Sequence, residues 1–412
     1  MQTVCITGYG VVSPWGDSLA AFEAALFDGL SAVRAESIQL PGMETFRVPM
    51  ARSVFDTQSV QSPSRVPLDR GSAMALAAAH AAAGMAGLDG ALLDPHRLGI
   101  YWGSGMGGAE SFEATCRAVY ADQRRIRPTS VVTAMPNAPV AELALRYRAR
   151  GAAQAYACAC ASSAVAIGEA LRALRDGRLD VAIVGGSEAM LTMGVIGAWQ
   201  ALRVLADVGG CGDDPAAAAW ACQPFAASRN GFALGEGAAA FILETEAHAR
   251  ARGASRVLTL SGYASTCDAM HITKPDSDGQ VRAIEGALRD AGLSAADVGH
   301  VNSHGTATTA GDAAEAASIG RVFGAHGVPV TATKASIGHL LGAGSAIELA
   351  ATLLALQRRQ VPPSGGSAAI DPALAIDLVQ GAPRELPSLR HAMSTSFAFG
   401  GTNAVLIASR ND

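Results

Sequence analysis

Charge is scarce in this chain: Asp, Glu, Lys and Arg make up 16% of its 412 residues, where a typical globular protein carries ~25%. Half of the residues are hydrophobic, so the shortage excludes a disordered chain and points to some surface being buried in a subunit contact. No Lys/Arg block or basic stripe stands out, and 31 basic against 36 acidic residues leave a net charge of −5. Nucleic acid is therefore not an expected partner. The opening MQTVCITGYGVVSPWG lacks a basic start and is soon broken by Gly and Pro, unlike a signal peptide. Long runs of strongly apolar residues are also missing. Ala73–Leu88 has no full charge, but it is mostly alanine, contains His80 and falls short of a ~20-residue span. It reads as a buried helix, and no membrane segment is expected. Seven cysteines, an odd number spread over a long chain, read as reduced thiols in a cytoplasmic protein. Cys158 and Cys160 form a Cys-x-Cys pair without a second Cys/His pair at zinc spacing nearby, so no metal is expected.

What is present is an alternation of short apolar runs with longer Ala-rich ones, the pattern of an α/β protein. The length suggests two packed domains or one large duplicated fold. Strands are expected at Val4–Thr7, Leu98–Trp102, Val181–Val184, Ala239–Leu243, Val257–Gly262, Val298–Asn302, Val328–Thr333, Met393–Phe397 and Ala404–Ala408. Helices are expected at Leu19–Gly29, Ala73–Ala86, Ala161–Arg175, Val281–Ala291, Gly311–Phe323 and Leu340–Gln357. The Pro-, Gly- and Ser-rich stretch Val361–Pro387 reads as an ordered surface crossing. Two helices, one opening at CASSAVAIG from Cys160 and one at HLLGAGSAI from His339, are small and apolar on every side. A helix of that kind is buried all round. Together they suggest a central pair in a two-fold repeat.

Cys160 ends a β-like stretch and immediately precedes a helix, where unpaired N–H groups and the helix dipole favour a thiolate; a buried apolar cysteine is the alternative. His304 stands where an apolar strand opens into VNSHGTATTAGDAAE, and Lys334 and His339 lie in a second strand-to-helix turn, TATKASIGHLLGAG. Such turns carry reactive groups in α/β proteins. His339 is the repeat-equivalent of Cys160, so the duplication would bring thiol and imidazole to facing helix ends. Two histidines beside a cysteine suit thioester chemistry with a developing enolate or oxyanion. In SFAFGGTNAVLI, Phe397 and Phe399 alternate into Gly400-Gly401; glycines admit close backbone approach, giving either an oxyanion hole or a plain hairpin turn.

Together these segments resemble the β-ketoacyl-acyl carrier protein synthases of the thiolase superfamily, closest to the synthase II type. The resemblance runs from ITGYGVVSPWG to SFAFGGTNAVLI through ACASSAVAIGEA, GFALGEGAA, VNSHGTATTAGDAAE and TKASIGHLLGAG, in family order. It implies a thiolase-like αβαβα fold with an N-terminal half over 1–255 carrying the cysteine and a C-terminal half over 256–412 carrying both histidines. It further implies that Cys160 is the acyl-accepting nucleophile and that His304 and His339 promote malonyl decarboxylation. Lys334, held by the structural partner Glu348, would organise the site. The N–H groups of Cys160 and Phe399 would form the oxyanion hole, with Phe399 also the gate. Thr306 and Thr308 match contacts to the pantetheine arm, Met106 and Phe397 match substrate-lining positions, and Arg65, Arg70 and Arg203 match the carrier-docking surface.

The implied reaction is a decarboxylative Claisen condensation that lengthens a Cys-bound acyl chain. It needs no cofactor beyond the phosphopantetheine arm of its partner, the acyl carrier protein. The enzyme is expected as a homodimer or as a heterodimer with a chain-length-factor-like subunit, and the alternative pathway is a type II polyketide or aryl-polyene synthase. A noncatalytic partner subunit is disfavoured by the presence of Cys160, and a coenzyme A thiolase by the histidine pair. Ala226, Asn230 and Ala398 depart from the family pattern, and Ala206–Gln223 is unusually acidic and Ala-rich.

Overall fold

The computed structural model describes residues 2–88, 93–212, 214–366 and 368–410. Eleven strands form one sheet, in the order 377–378, 329–331, 298–302, 391–397, 402–409, 258–267, 4–12, 237–245, 181–188, 98–103, 153–156. The order carries the duplication. Among the five main strands of each half, the sequence across the sheet is first, last, fourth, second, third, and the two first strands join the halves through Cys5 opposite Thr259 and Ile6 opposite Leu258. Ala-rich Arg70–Ala86 covers the outer face of the first half and Ser277–Ala291 that of the second. Between the half-sheets lie Ser162–Arg175 and Gly344–Arg358, which touch each other and strands of both halves. This is the expected αβαβα layering.

The small residues of those inner helices are what allow the layers to close. Gly168 lies against the Tyr263 ring, where a Cβ would come within 2.3 Å of ring carbons. Gly103, on a strand above the first inner helix, leaves 2.3 Å between an added Cβ and Ser163 N. The two helix starts are also stitched to each other: Ser345 Oγ donates to Cys160 O at 2.9 Å, and Ala346 N donates to Ser163 Oγ at 2.9 Å. Their facing arrangement is thus fixed by hydrogen bonds as well as packing.

All nine expected strands are present within a few residues, and the 181 strand runs on to Glu188. Apart from the first, which starts at Leu19 as expected, the expected helices shift at their starts. The last begins at Gly344, because Leu341–Ala343 forms a 3-10 turn that lets the chain swing round after His339. Helices at Ala109–Tyr120, Ser130–Ala134, Ala138–Tyr147 and Met193–Leu202, and the hairpin Arg34–Ile38 with Phe46–Ala51, escape the sequence reading. The described part of the 361–387 stretch contains short strands at Asp377–Leu378 and Arg384–Glu385. Among the described residues, no helix is long and apolar enough to cross a membrane.

Candidate active site

Cys160 lies in the 3-10 turn Ala159–Ala161 that leads into the first inner helix, and His339 lies just before the turn that leads into the second. His339 Nε2 stands 3.0 Å from the Cys160 sulfur, and the rings of His339 and His304 meet edge to face with centroids 5.5 Å apart. Both helix starts therefore deliver their reactive groups to one point, as the repeat implied. Cys160, His304, His339, Thr306, Thr308, Phe397 and Phe399 line a single cavity of about 260 Å³.

Lys334 is fully buried and holds the interior side of this cavity. Its ammonium donates to the Glu348 carboxylate, to His304 O and to His304 Nδ1, the last at 3.1 Å. An ammonium can only donate, so Nδ1 of His304 accepts and its hydrogen sits on Nε2. His304 is thereby set as a hydrogen-bond donor on its other ring nitrogen. Burial, reinforced by the Lys334 charge, pushes both imidazoles well below the usual histidine range, so they are neutral at physiological pH. Burial also holds the Glu348 carboxyl above the ordinary range, while Lys334 pulls it back.

The thiol departs from expectation. Desolvation outweighs the favourable groups around it and pushes Cys160 up to about 11. Lys334 and hydrogen bonds from the backbone N–H groups of Phe399 and Cys160 act in the opposite direction. The helix start is present, but at a fully buried sulfur it does not suffice to ionise the group. The cysteine rests as a thiol, and the same two N–H groups converge on its sulfur.

Further groups shape the site that the sequence reading missed. Trp199 lines the cavity, packs on Phe399 with ring centroids 6.2 Å apart and meets Phe232 edge to face at 5.6 Å; Phe232 in turn abuts His339 at 5.2 Å. Glu315, fully buried, accepts from the N–H groups of His304 and Gly305, each at 2.8 Å, and so clamps the turn that carries His304. Asp312 does the same for Phe225 and Ala307. Both carboxylates sit in the first two turns of a helix, pointing back over the loop before it. An acidic pair closely following Gly-Thr turns is the signal that could have found them.

Glu188 is a third buried carboxylate, accepting from the N–H groups of Gly105, Met106 and Gly342. It ties the Met106 loop to the turn after His339. The Met106 side chain itself is 43% exposed and does not line the cavity of Cys160.

Of the three arginines assigned to docking, Arg65 and Arg203 are exposed, each on a left-handed backbone. Arg70 is not free: its guanidinium pairs with the buried Glu236 at 2.8 Å and donates to the carbonyls of Ser53 and Phe55. A basic cluster does exist, contrary to the sequence reading. Arg117, Arg124, Arg125 and Arg127 line one groove, together with Asp122, Pro67 and Leu68. The run QRRIR was the visible signal. Of the departing positions, Asn230 accepts from Asp207 N, and Ala398 spans the glycine turn by bonding to Thr402 O and Gly401 N. The described part of the 206–223 stretch contains two 3-10 turns and packs Trp220 against Gly365.

Comparison with known proteins agrees with this arrangement. Residues 1–249 match the family model for the β-ketoacyl synthase N-terminal domain and residues 257–367 that for its C-terminal domain. The chain is 36% identical over 409 residues to Nodulation protein E of Rhizobium meliloti (strain 1021), covering 98% of both chains. It is 34% identical over 414 residues to 3-oxoacyl-[acyl-carrier-protein] synthase 2 of Staphylococcus aureus (strain COL), again covering 98% of both. A solved ketosynthase in complex with its chain length factor, from Xenorhabdus doucetiae, superposes with a TM-score of 0.85 at 27% identity, covering 100% of this chain and 98% of that one. The chain belongs to the β-ketoacyl synthase family.

Proposed function

We propose that this protein extends carrier-bound acyl chains by decarboxylative condensation, with Cys160 as nucleophile. The observation that carries the reading is the contact of a protonated thiol with a neutral imidazole, Cys160 with His339 at 3.0 Å, inside a cavity that also presents the His304 ring. The sulfur attacks the carrier thioester while His339 Nε2 takes its hydrogen, and that proton leaves on the departing pantetheine thiol. Malonyl-carrier then loses CO₂. The electron pair of the broken bond becomes an enolate whose oxygen is held by the Nε2–H of His304. The enolate carbon attacks the acyl-enzyme. The N–H groups of Cys160 and Phe399 hold the tetrahedral oxyanion, and its collapse frees a β-ketoacyl product two carbons longer and the Cys160 thiolate, which takes a proton from solvent to return to the resting thiol. In this reading the pantetheine amides meet Thr306 and Thr308, whose hydroxyls lie 2.9 Å apart on the cavity wall.

The partner in this reading is an acidic acyl carrier protein. Arg65 and the groove of Arg117, Arg124, Arg125 and Arg127 support a docking face for it, and Arg203 flanks the cavity beside Leu202 and Val204. A second subunit, either another copy or a chain-length-factor-like chain, is supported by two features. The edge strand Ala153–Tyr156 is largely exposed, and Phe112, Tyr120, Val131, Val132 and Leu145 are exposed on helices that pack in succession. Likeness to a ketosynthase solved with its chain length factor and the substitutions at Ala226, Asn230 and Ala398 favour the polyketide-type pathway as the second reading. Seven free thiols support a reducing, cytoplasmic setting.

Intact-mass measurement after incubation with acyl-carrier thioester tests the assignment. One acyl group is expected on the wild type and none on Cys160→Ala. Undiminished labelling of the variant overturns it.

A further inference from the structure

The Cys160 sulfur and one ring nitrogen from each of His304 and His339 lie within 4.8 Å of one another, with all three side chains buried. They come from segments far apart in the chain, so no ligand spacing in the sequence announces them. A zinc ion bound by one thiolate and two imidazoles has bonds of about 2.3 Å to sulfur and about 2.0–2.1 Å to nitrogen, which sets its donors roughly 3.3–3.6 Å apart. His339 Nε2 already stands 3.0 Å from the sulfur. A closure of roughly 1 Å by the His304 ring completes three corners of the tetrahedron, and the fourth faces the cavity. Three protein ligands with one open corner is the habit of non-structural zinc sites. A sulfur with two imidazoles selects soft or borderline cations and discriminates against magnesium and calcium.

We propose that Cys160, His304 and His339 form a reversible inhibitory site for a soft or borderline divalent cation, zinc foremost. The bound ion takes the sulfur's reactive lone pair and so closes the nucleophile to acylation. The exchange balances. The Cys160 S–H and the Nε2–H of His304 both go to solvent, while the proton that Lys334 donates to His304 Nδ1 moves onto the ring and leaves Lys334 as a neutral amine that accepts from Nδ1–H. One dication enters as two protons leave, so the net charge of the buried site does not change and no uncompensated charge is added. Lys334, with Glu348 behind it, becomes the outer partner that orients the His304 ligand. His339 Nδ1, buried with no hydrogen-bond partner, lacks any such support, which keeps the site reversible.

Cobalt(II) is the probe, added to chelator-treated full-length protein. Equimolar binding is expected, with a thiolate-to-cobalt charge-transfer band and the strong visible bands of tetrahedral cobalt, both abolished by added zinc. Saturating zinc is expected to block iodoacetamide alkylation of Cys160, and excess chelator to restore it. Cys160→Ser and His339→Ala are expected to raise the dissociation constant at least ~100-fold, the upper end of what outer-shell changes alone produce. Wild-type protein whose Cys160 has been capped with iodoacetamide serves as a folded equivalent and is expected to bind no cobalt. Cys267→Ser and His326→Ala, at exposed positions, are expected to leave affinity within about twofold of wild type, well below the 10–100-fold cost of an outer-shell change. Cobalt binding that survives capping, the lack of a sulfur charge-transfer band, or alkylation undiminished at saturating zinc would overturn the proposal.

Discussion

The resting state of the nucleophile is open to direct measurement. With Cys160 pushed from an ordinary 9.0 to about 11, the thiolate population at neutral pH falls about a hundredfold, or about 2.7 kcal/mol. At pH 7.5 roughly 0.03% of the sulfur is ionised. A more basic thiolate is intrinsically more nucleophilic, with a slope of ~0.4–0.5, which returns about tenfold of that loss. The rate of alkylation by a small neutral reagent should therefore be about tenfold below that of an unperturbed thiol. More tellingly, its logarithm should climb by about one unit per pH unit from pH 7 to roughly 10. The assay is intact-mass kinetics with iodoacetamide, using Cys160→Ala to subtract the other cysteines. Because the Lys334 ammonium lowers the thiol, Lys334→Met should slow alkylation further at any pH below the plateau. The sign of the stability linkage follows. The folded protein keeps a proton that the unfolded chain gives up above pH 9.0, so this group's contribution is fully present below 9.0 and is lost as pH rises toward about 11. A rate plateau below pH 8 would mean a preformed thiolate–imidazolium pair, and the reasoning from desolvation would fail.

Other consequences can be measured on the same protein. Lys334→Met strips a buried carboxylate of its counter-charge and should cost about 3–5 kcal/mol in denaturant unfolding; the loss should be greater at pH 8 than at pH 6, because Glu348 can take up a proton at the lower pH. Gly103→Ala drives a methyl into the Ser162–Ser163 backbone and should lower stability by about 1–3 kcal/mol, read as a drop in Tm. Arg124→Glu with Arg125→Glu should raise the KM for carrier-bound substrate about tenfold at low salt, with the difference shrinking as salt rises; iodoacetamide alkylation of Cys160 should not change. His304→Ala should depress malonyl decarboxylation by about 10²–10³-fold, the worth of one donor to a developing oxyanion, while single-turnover acylation of Cys160 persists. Met106→Gly, at a side chain lying outside the cavity of the isolated chain, should alter the accepted chain lengths only if a second subunit extends that cavity to the Met106 loop.

How much was legible in the sequence depends on the kind of signal. Cys160, His304, Lys334 and His339 were readable because each sits at a strand-to-helix turn rich in small residues, a local pattern that survives without coordinates. The all-apolar inner helices were readable for the same reason, and they implied the repeat that the strand order carries. Glu188, Trp199 and the buried carboxylates Asp312 and Glu315 were not, because their meaning is relational. Asp312 and Glu315 look like the polar face of an Ala-rich helix until the loop they clamp folds back over them. The short helices between 109 and 147 are amphipathic and charged, with Glu110, Glu113 and Arg117 in the first, so they lack the long apolar, Ala-rich runs that marked the buried helices. The ionisation of Cys160 was misjudged because a helix start is a local feature, whereas desolvation belongs to the whole cavity.

The stitching of the two inner helix starts has a mechanical corollary. Ser345 grips the carbonyl of the nucleophile's own residue, and Ser163 grips the turn beyond the imidazole. Sulfur and base are thus registered to each other by two short serine side chains that each bind the main chain of the opposite helix start. Any force that slides one half of the molecule against the other would load that seam, so the spacing of the reacting atoms doubles as a gauge of how tightly the duplicated halves are joined.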